Sequence, residues 1–432
     1  MRSFIKDIES RILIYDGSKG YLLQKMGLRG GECAELWNAE KPDMVREVYS
    51  QYKDAGSDVI QTNTFTGNRI TLDKHSLGDR TYELNYLGTK LAREIAGEDM
   101  FVAASIGPLG MLFEPSGELT FEIAYEAFKE QIRAVEDGGA DLINFETFTD
   151  LAEMRAALLA AKENTSLPVI CSMAYEAGGR TLMGNDPQTV AAVLLALGAD
   201  MIGTNCSFGA GHMLEIVRKL HEAQGGFLSV KPNAGLPEMI DGKACYRESA
   251  ESFASQISEY VKYGARLIGG CCGTTPEYIK AVKEKLEKLE AVPAAKRSGG
   301  LIASGARCLA VAEIKAESTG VLAITVNEDK YKTLAQVEDQ VLDLSTEAYN
   351  AVLISMEAFE DKALYDVFSD AVNLAQGYIK APLILKCSSS EEMEKALRIY
   401  KGIAGIVIDK NTDREKTIKA AEKYGSEIVR VV

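Results

Sequence analysis

Short apolar runs alternate with longer amphipathic stretches along residues 1–290. The runs Ile12–Tyr15, Asp58–Thr62, Phe101–Ala104, Asp141–Phe145, Pro168–Ser172, Met201–Thr204, Phe227–Val230 and Arg266–Gly269 predict strands. The stretches Pro42–Ala55, Arg80–Ala96, Phe121–Asp137, Leu151–Glu163, Pro187–Leu197, Gly211–His221, Ser249–Tyr263 and Pro276–Leu289 predict helices. Most of the strands are apolar throughout, as strands buried on both faces are. Turns such as Gly56-Ser57-Asp58, Gly139-Ala140-Asp141, Gly198-Ala199-Asp200 and Gly264-Ala265-Arg266 recur before strands and read as helix C-caps. This count and size predict an α/β fold, a (β/α)8 TIM barrel over residues 1–290. A doubly wound open sheet is the competing fold. No Gly-x-Gly-x-x-Gly follows the first strand, which argues against it.

Residues 291–300, Ala-Val-Pro-Ala-Ala-Lys-Arg-Ser-Gly-Gly, read as a linker. Residues 301–432 alternate again, with strands expected at Ala306–Ala312, Gly320–Val326, Ala351–Ser355, Pro382–Lys386, Gly405–Asp409 and Glu427–Val432. That segment is long enough for a small α/β domain and too short for a second complete barrel.

Composition narrows the function classes. Of 432 residues, 46% are hydrophobic and 26% charged, with a net charge of −15. An acidic chain lacks the basic footprint of a nucleic-acid binder. No apolar run reaches the length of a membrane span, and the N-terminus carries charges where a signal peptide needs an apolar core. The eight cysteines are thinly spread, unlike a disulfide framework. A reducing, cytoplasmic setting is expected.

In a barrel, the residues that follow each strand gather at one mouth. Asp16, Asn63, Ser105, Glu146, Cys206, Asn233, Cys271 and Cys272 would therefore converge. Cys271 and Cys272 stand in Gly269-Gly270-Cys271-Cys272-Gly273-Thr274, between the last strand and its helix, and Cys206 follows the sixth strand. Three thiolates suit Zn²⁺ and leave its fourth position open, the pattern of a catalytic site. Such a site suits a substrate that is itself a thiol, since coordination deprotonates it at neutral pH. Glu146 ends an apolar strand, where a carboxylate is costly unless used or paired; it would anchor an ammonium group or form an internal salt bridge. Asp16-Gly17 reads equally as an ordinary turn. Cys33, Cys171, Cys245, Cys308 and Cys387 read as small core residues, and His75, His212 and His221 lie away from strand ends.

Asp16-Gly17, Asn63-Thr64-Phe65, Ser105-Ile106-Gly107-Pro108, Phe145-Glu146-Thr147-Phe148, Asn205-Cys206, Pro232-Asn233-Ala234-Gly235 and the double-cysteine turn together resemble the homocysteine S-methyltransferase family. The likeness is greatest to the homocysteine-binding barrel of cobalamin-dependent methionine synthases, and it covers residues 1–290. It implies zinc on Cys206, Cys271 and Cys272, which act in catalysis. It implies homocysteine contacts drawn from Asp16, Gly17, Asn63, Thr64, Ser105, Glu146, Asn205 and Asn233, and methyl transfer to the thiol. Leu301–Cys308 and Ala381–Ser389 are similar to parts of the first half of the folate-binding barrel that follows in those synthases. Val352–Glu357 and Leu385–Cys387 stand where its acidic and amide residues would be. The segment is therefore expected to be a truncated folate module resembling half of a second barrel. No cobalamin-carrying domain is expected, so a methylcorrinoid donor would arrive as free methylcobalamin or on a corrinoid protein. S-Methylmethionine, S-adenosylmethionine and betaine are the alternative donors. A competing reading makes the chain a non-autonomous binding subunit of a corrinoid or folate methyltransferase assembly. A zinc hydrolase fits less well, since such sites favour histidine and carboxylate ligands.

Overall fold

The structure is a computed structural model. It describes residues 3–430 except 115, 225, 237, 241–242, 293–299, 327–328, 357–365 and 409. The side chains of 224, 239–240 and 243–245, Cys245 among them, also lie outside the description. The expected linker falls largely on undescribed residues, as do Glu357, Asp409 and Val431–Val432 of the expected elements. The chain divides into two compact units, Met1–Met183 with Ala199–Lys296, and Gly184–Gly198 with Arg297–Val432.

The first unit is built on eight parallel strands: β1 Leu13–Ile14, β2 Val59–Gln61, β3 Phe101–Ile106, β4 Leu142–Phe148, β5 Val169–Met173, β6 Met201–Gly209, β7 Leu228–Asn233 and β8 Ala265–Ile268. Each pairs with its sequence neighbour, and β1 pairs with β8 through Leu13 opposite Leu267. A parallel bridge between Tyr15 and Val59 joins β1 to β2 and closes the ring. Closure excludes the open doubly wound alternative; this is a TIM barrel.

The glycine–acid turns before strands have a physical role. Gly56, Gly139, Gly198 and Gly264 adopt φ of 93°, 95°, 89° and 79°, which a side chain would resist. Two residues on, the Asp58, Asp141 and Asp200 carboxylates accept from the backbone N–H of Ile14 (2.9 Å), Val102 (2.7 Å) and Val169 (2.9 Å), each on the preceding strand. The same short motif thus ends a helix and fixes the start of a strand. The fourth copy carries Arg266 instead, whose guanidinium donates to the Val292 carbonyl.

Among the elements not expected from the sequence, the first helix bears most on the barrel. Phe4–Ser10 is a helix whose Phe4 and Ile8 pack against Leu13, Phe101, Leu142, Ile170, Met201 and Leu267, the starting ends of the strands. It plugs the floor of the barrel. The expected helix Ser249–Tyr263 is α-helical only over Ala250–Ile257 and tightens to a 3-10 helix over Ser258–Tyr263.

The second unit holds five parallel strands in sequential order: β9 Thr319–Ile324, β10 Ala351–Met356, β11 Leu383–Cys387, β12 Gly405–Ile406 and β13 Glu427–Ile428. Sequential order is that of a barrel segment, not of a doubly wound sheet. The expected strand Ala306–Ala312 is instead a short arm, Cys308–Ala310, of an antiparallel hairpin with Leu301–Ala303. Antiparallel pairing needs only a tight turn, which Ser304-Gly305-Ala306-Arg307 provides. Ile302 of that hairpin joins Ala351, Ile384 and Val429 in a small core. Helix Pro187–Ala196, which lies between β5 and β6 in the chain, belongs to this unit and packs on the hairpin.

Candidate metal centre

The strand ends of β6 and β8 bring three cysteines together. The sulfurs of Cys206, Cys271 and Cys272 all lie within 4.8 Å of one another, with Cys206 and Cys272 3.4 Å apart. Among the described residues this is the one group of three or more His, Cys, Asp or Glu side chains able to share a metal ion.

Each cysteine is held by its backbone. Cys206 sits at φ 54°, left-handed for a non-glycine residue. The pairing of β6 with β7 breaks its register between Asn205 and Gly209, so this strand end bulges and turns its thiol toward the mouth. The double-cysteine turn is pinned from below. Cys271 N–H donates to the Pro232 carbonyl (2.8 Å), Cys272 N–H to Asn233 Oδ1 (3.1 Å), and Thr274 Oγ1 to the Cys271 carbonyl (2.6 Å). A Cβ on Gly270 would collide with the Thr274 side chain.

The donor set fits a thiophilic cation. Two sulfurs bound tetrahedrally at about 2.3 Å from one ion lie roughly 3.8 Å apart, close to the spacing found. Left as thiols, the three compete for protons. Cys272 is held below the ordinary thiol range because its sulfur accepts from Cys206 and from Cys271. Cys206 is pushed far above it because it donates to Cys271 and Cys272. Tyr246, set edge-on to Tyr21, also offers its hydroxyl to Cys272.

The cysteines open into a cavity of about 400 Å³. Gly17, Asn63, Ser105 and Glu146, expected at the site, also line it. Asp16, Thr64, Asn205 and Asn233 do not; they stand behind its wall. Asp16 Oδ2 accepts from the Gln61 N–H (2.9 Å) and lies 3.9 Å from the Lys19 ammonium; burial lifts its carboxyl to about 6. Thr64 Oγ1 donates to the Ser105 carbonyl (2.7 Å). Asn205 accepts from the Thr147 N–H (2.8 Å), donates to Thr147 Oγ1 (2.8 Å) and reaches Cys271 Sγ at 3.8 Å. Thr147 is itself left-handed, with φ 64°. Cys33, Cys171 and Cys387 are buried away from the cluster, and Cys308 is half-buried.

Three functional neighbours were not anticipated. Lys231 forms a buried ion pair with Glu146, Gln61 bonds to both, and Tyr246 meets Cys272. Lys231 ends an apolar strand just as Glu146 does, so the signal that marked the acid was also present for the base.

The homocysteine S-methyltransferase family model matches residues 13–286. The chain belongs to that family. Homocysteine S-methyltransferase relatives of known name include the methionine synthases of Mycobacterium leprae, 32% identical, and Mycobacterium tuberculosis, 34% identical. Each alignment spans 296 residues, 64% of this chain and 24% of the relative. The chain therefore spans about a quarter of the length of the curated relatives it matches. Among solved structures, the Escherichia coli homocysteine methyltransferase MmuM in its metallated form is 24% identical with a TM-score of 0.54. That match covers 64% of this chain and 97% of that one, a likeness of fold. The hexapeptide Asp73-Lys74-His75-Ser76-Leu77-Gly78 spells Asp-x-His-x-x-Gly, a signature of cobalamin-carrying domains. Here it runs from the end of helix Arg69–Asp73 through an exposed turn inside the segment matched to the family, not in a domain of its own.

Proposed function

We propose that this chain transfers a methyl group to the thiol of homocysteine, forming methionine, with Zn²⁺ held by Cys206, Cys271 and Cys272. The observation that carries the reading is three sulfurs from two distant strand ends meeting within 4.8 Å at a cavity mouth, inside the segment matched to the family. Three thiolate donors favour zinc over harder cations and leave one tetrahedral position for a substrate sulfur. Zinc there would supply the Lewis acidity that keeps an incoming thiol ionised at neutral pH.

The chain's own residues provide the positioning. Asn205 and Asn233 hold the two cysteine-bearing segments. Glu146 faces the cavity as the anchor for the substrate ammonium. The cavity exceeds what a four-carbon amino acid fills, which supports entry of a donor beside it. For that donor we favour a methylcorrinoid, free or carried by a partner protein, on the likeness of the barrel motifs to cobalamin-dependent synthases. Reduced thiols at the centre favour a reducing compartment, the cytoplasm. No helix among the described residues is long and apolar enough to cross a membrane.

The test is a single-turnover assay with zinc-loaded protein, homocysteine and free methylcobalamin, following the corrinoid spectrum. Demethylation that disappears in Cys206→Ala, Cys271→Ala and Cys272→Ala is the expected result. Homocysteine binding without demethylation would replace the donor with S-methylmethionine, S-adenosylmethionine, betaine or a protein-bound corrinoid. Failure of the zinc-loaded protein to bind homocysteine would overturn the reading.

A further inference from the structure

The barrel interior changes character in steps along its axis. Leu13, Leu142, Ile170 and Met201 meet the floor helix and are apolar. Side chains on a strand return to the same face every second residue. One step above the floor the interior positions are therefore Tyr15, Asn144, Ser172 and Gly203, with Ser229 of β7 paired to Gly203. The next step reaches Glu146 and Lys231, a buried ion pair. A layer of neutral polar groups thus lies between an apolar floor and a charged ceiling.

That layer is unsatisfied. The Tyr15 hydroxyl, both polar atoms of the Asn144 amide, and the Ser172 and Ser229 hydroxyls find no hydrogen-bond partner among the described residues. All four residues are 0% exposed. Leaving such atoms unpaired in an interior is costly, and native proteins rarely do so. The side chains are also small. Barrel interiors are normally filled by bulky branched residues; here Asn144, Ser172, Gly203 and Ser229 take those places. A Cβ on Gly203 would stand 2.6 Å from Ser172 Oγ and 2.9 Å from Ser229 Cβ, so the two serines flank it closely.

Charge and donor type select the ligand. An amide and three hydroxyls offer donors and acceptors together, which suits a ligand that does both. The Lys231 ammonium lies 4.8 Å from the centre of the Tyr15 ring. It repels a metal cation from the layer, and Glu146 beside it repels an anion. Water is small, neutral, and both donor and acceptor. A buried water makes about three hydrogen bonds, so these five atoms call for about two or more.

We propose that the barrel encloses a site for a cluster of ordered waters, bound by Tyr15, Asn144, Ser172 and Ser229 beneath the Lys231–Glu146 pair. The waters complete the hydrogen bonding of the layer and present their dipoles to the underside of the pair, which favours its charged form. Phe4 and Ile8 seal the floor and the ion pair covers the top, so exchange with bulk solvent is slow. The proposal stands whether or not the cavity above takes homocysteine.

A crystal structure of the wild-type full chain, at a resolution that shows ordered solvent, tests this. Waters within hydrogen-bond distance of Asn144, Ser172 and Ser229 are expected. Side chains bonded to one another with no solvent between them overturn the proposal. So does a thallium ion in the layer, seen by anomalous scattering after a soak, which would make this a monovalent-cation site. In solution, magnetic relaxation dispersion of water oxygen counts long-lived internal waters. Asn144→Leu/Ser172→Ala/Ser229→Ala should hold about two or more fewer than wild type; equal counts overturn the proposal. If that variant does not fold, the wild-type crystal structure decides alone.

Discussion

Cys206 and Thr147 are the two left-handed non-glycine residues at the centre, and Asn205 touches both sides of the arrangement. It precedes Cys206 in the chain, and its amide clamps Thr147 while pointing at the Cys271 sulfur. Groups that orient a metal ligand from behind are worth about 10–100-fold in metal affinity. Asn205→Ala should therefore weaken zinc retention by that amount in a chelator-competition assay while leaving the melting temperature within a few degrees of wild type. Unchanged affinity would reduce Asn205 to a backbone filler. Cys271→Ala should cut bound zinc, measured by atomic absorption, from one ion per chain to a small fraction. The cysteines were legible in the sequence because barrel geometry alone sends strand ends to one mouth. The Lys231–Glu146 pair was not. Its partners are 85 positions apart, and nothing local to either residue says that their side chains cross the barrel interior toward each other.

Strands and helices were legible wherever one period dominated. Helix Phe121–Asp137 follows its pattern to the residue. The floor helix Phe4–Ser10 was hidden because two turns with Phe4 and Ile8 among charged residues do not make a sustained period. Its packing nonetheless implies a measurable cost. Phe4→Ala removes a 3% exposed ring from the barrel floor and should destabilise the barrel by about 3 kcal/mol in urea unfolding. Helix Leu151–Asn164 hides a second charge. Burial lifts the Glu153 carboxyl to about 8, against the pull of the Leu109 N–H and helped by nearby Asp150. In the unfolded chain that carboxyl loses its proton near the ordinary glutamate value, about 4.3. Between these limits the folded state binds the extra proton, so this group's contribution to stability falls as the pH rises and levels off above about 8. Glu153→Gln keeps the acceptor for Leu109 and has no proton to lose. It should be more stable than wild type at pH 9 by on the order of 2 kcal/mol and indistinguishable near pH 4. A constant difference across the range would remove titration as the cause.

For the molecule as a whole, the sequence suggested a clean succession of barrel and smaller domain. The units are interleaved instead, because helix Pro187–Ala196 lies in the barrel's stretch of sequence and in the other unit's packing. Its pattern is apolar on nearly every side, with Val190, Ala191, Ala192, Val193 and Leu194 all buried. Periodicity could not show which neighbour would cover it. A chain ending at Lys296 would leave that helix without its hairpin. Scanning calorimetry and light scattering should find the truncated protein melting lower and associating, whereas an identical melting temperature would show that the helix has enough cover without residues 297–432.

This interleaving also has a consequence in time. Synthesis is vectorial, and at about 5–20 residues per second the ribosome needs on the order of ten seconds to travel from helix Pro187–Ala196 to the hairpin at Leu301–Ala303. Throughout that interval a nascent chain that starts with five barrel strands, and gains the other three on the way, carries an oily helix with no companion. Biogenesis of this enzyme thus has a vulnerable window written into its topology, and it closes only when the hairpin emerges.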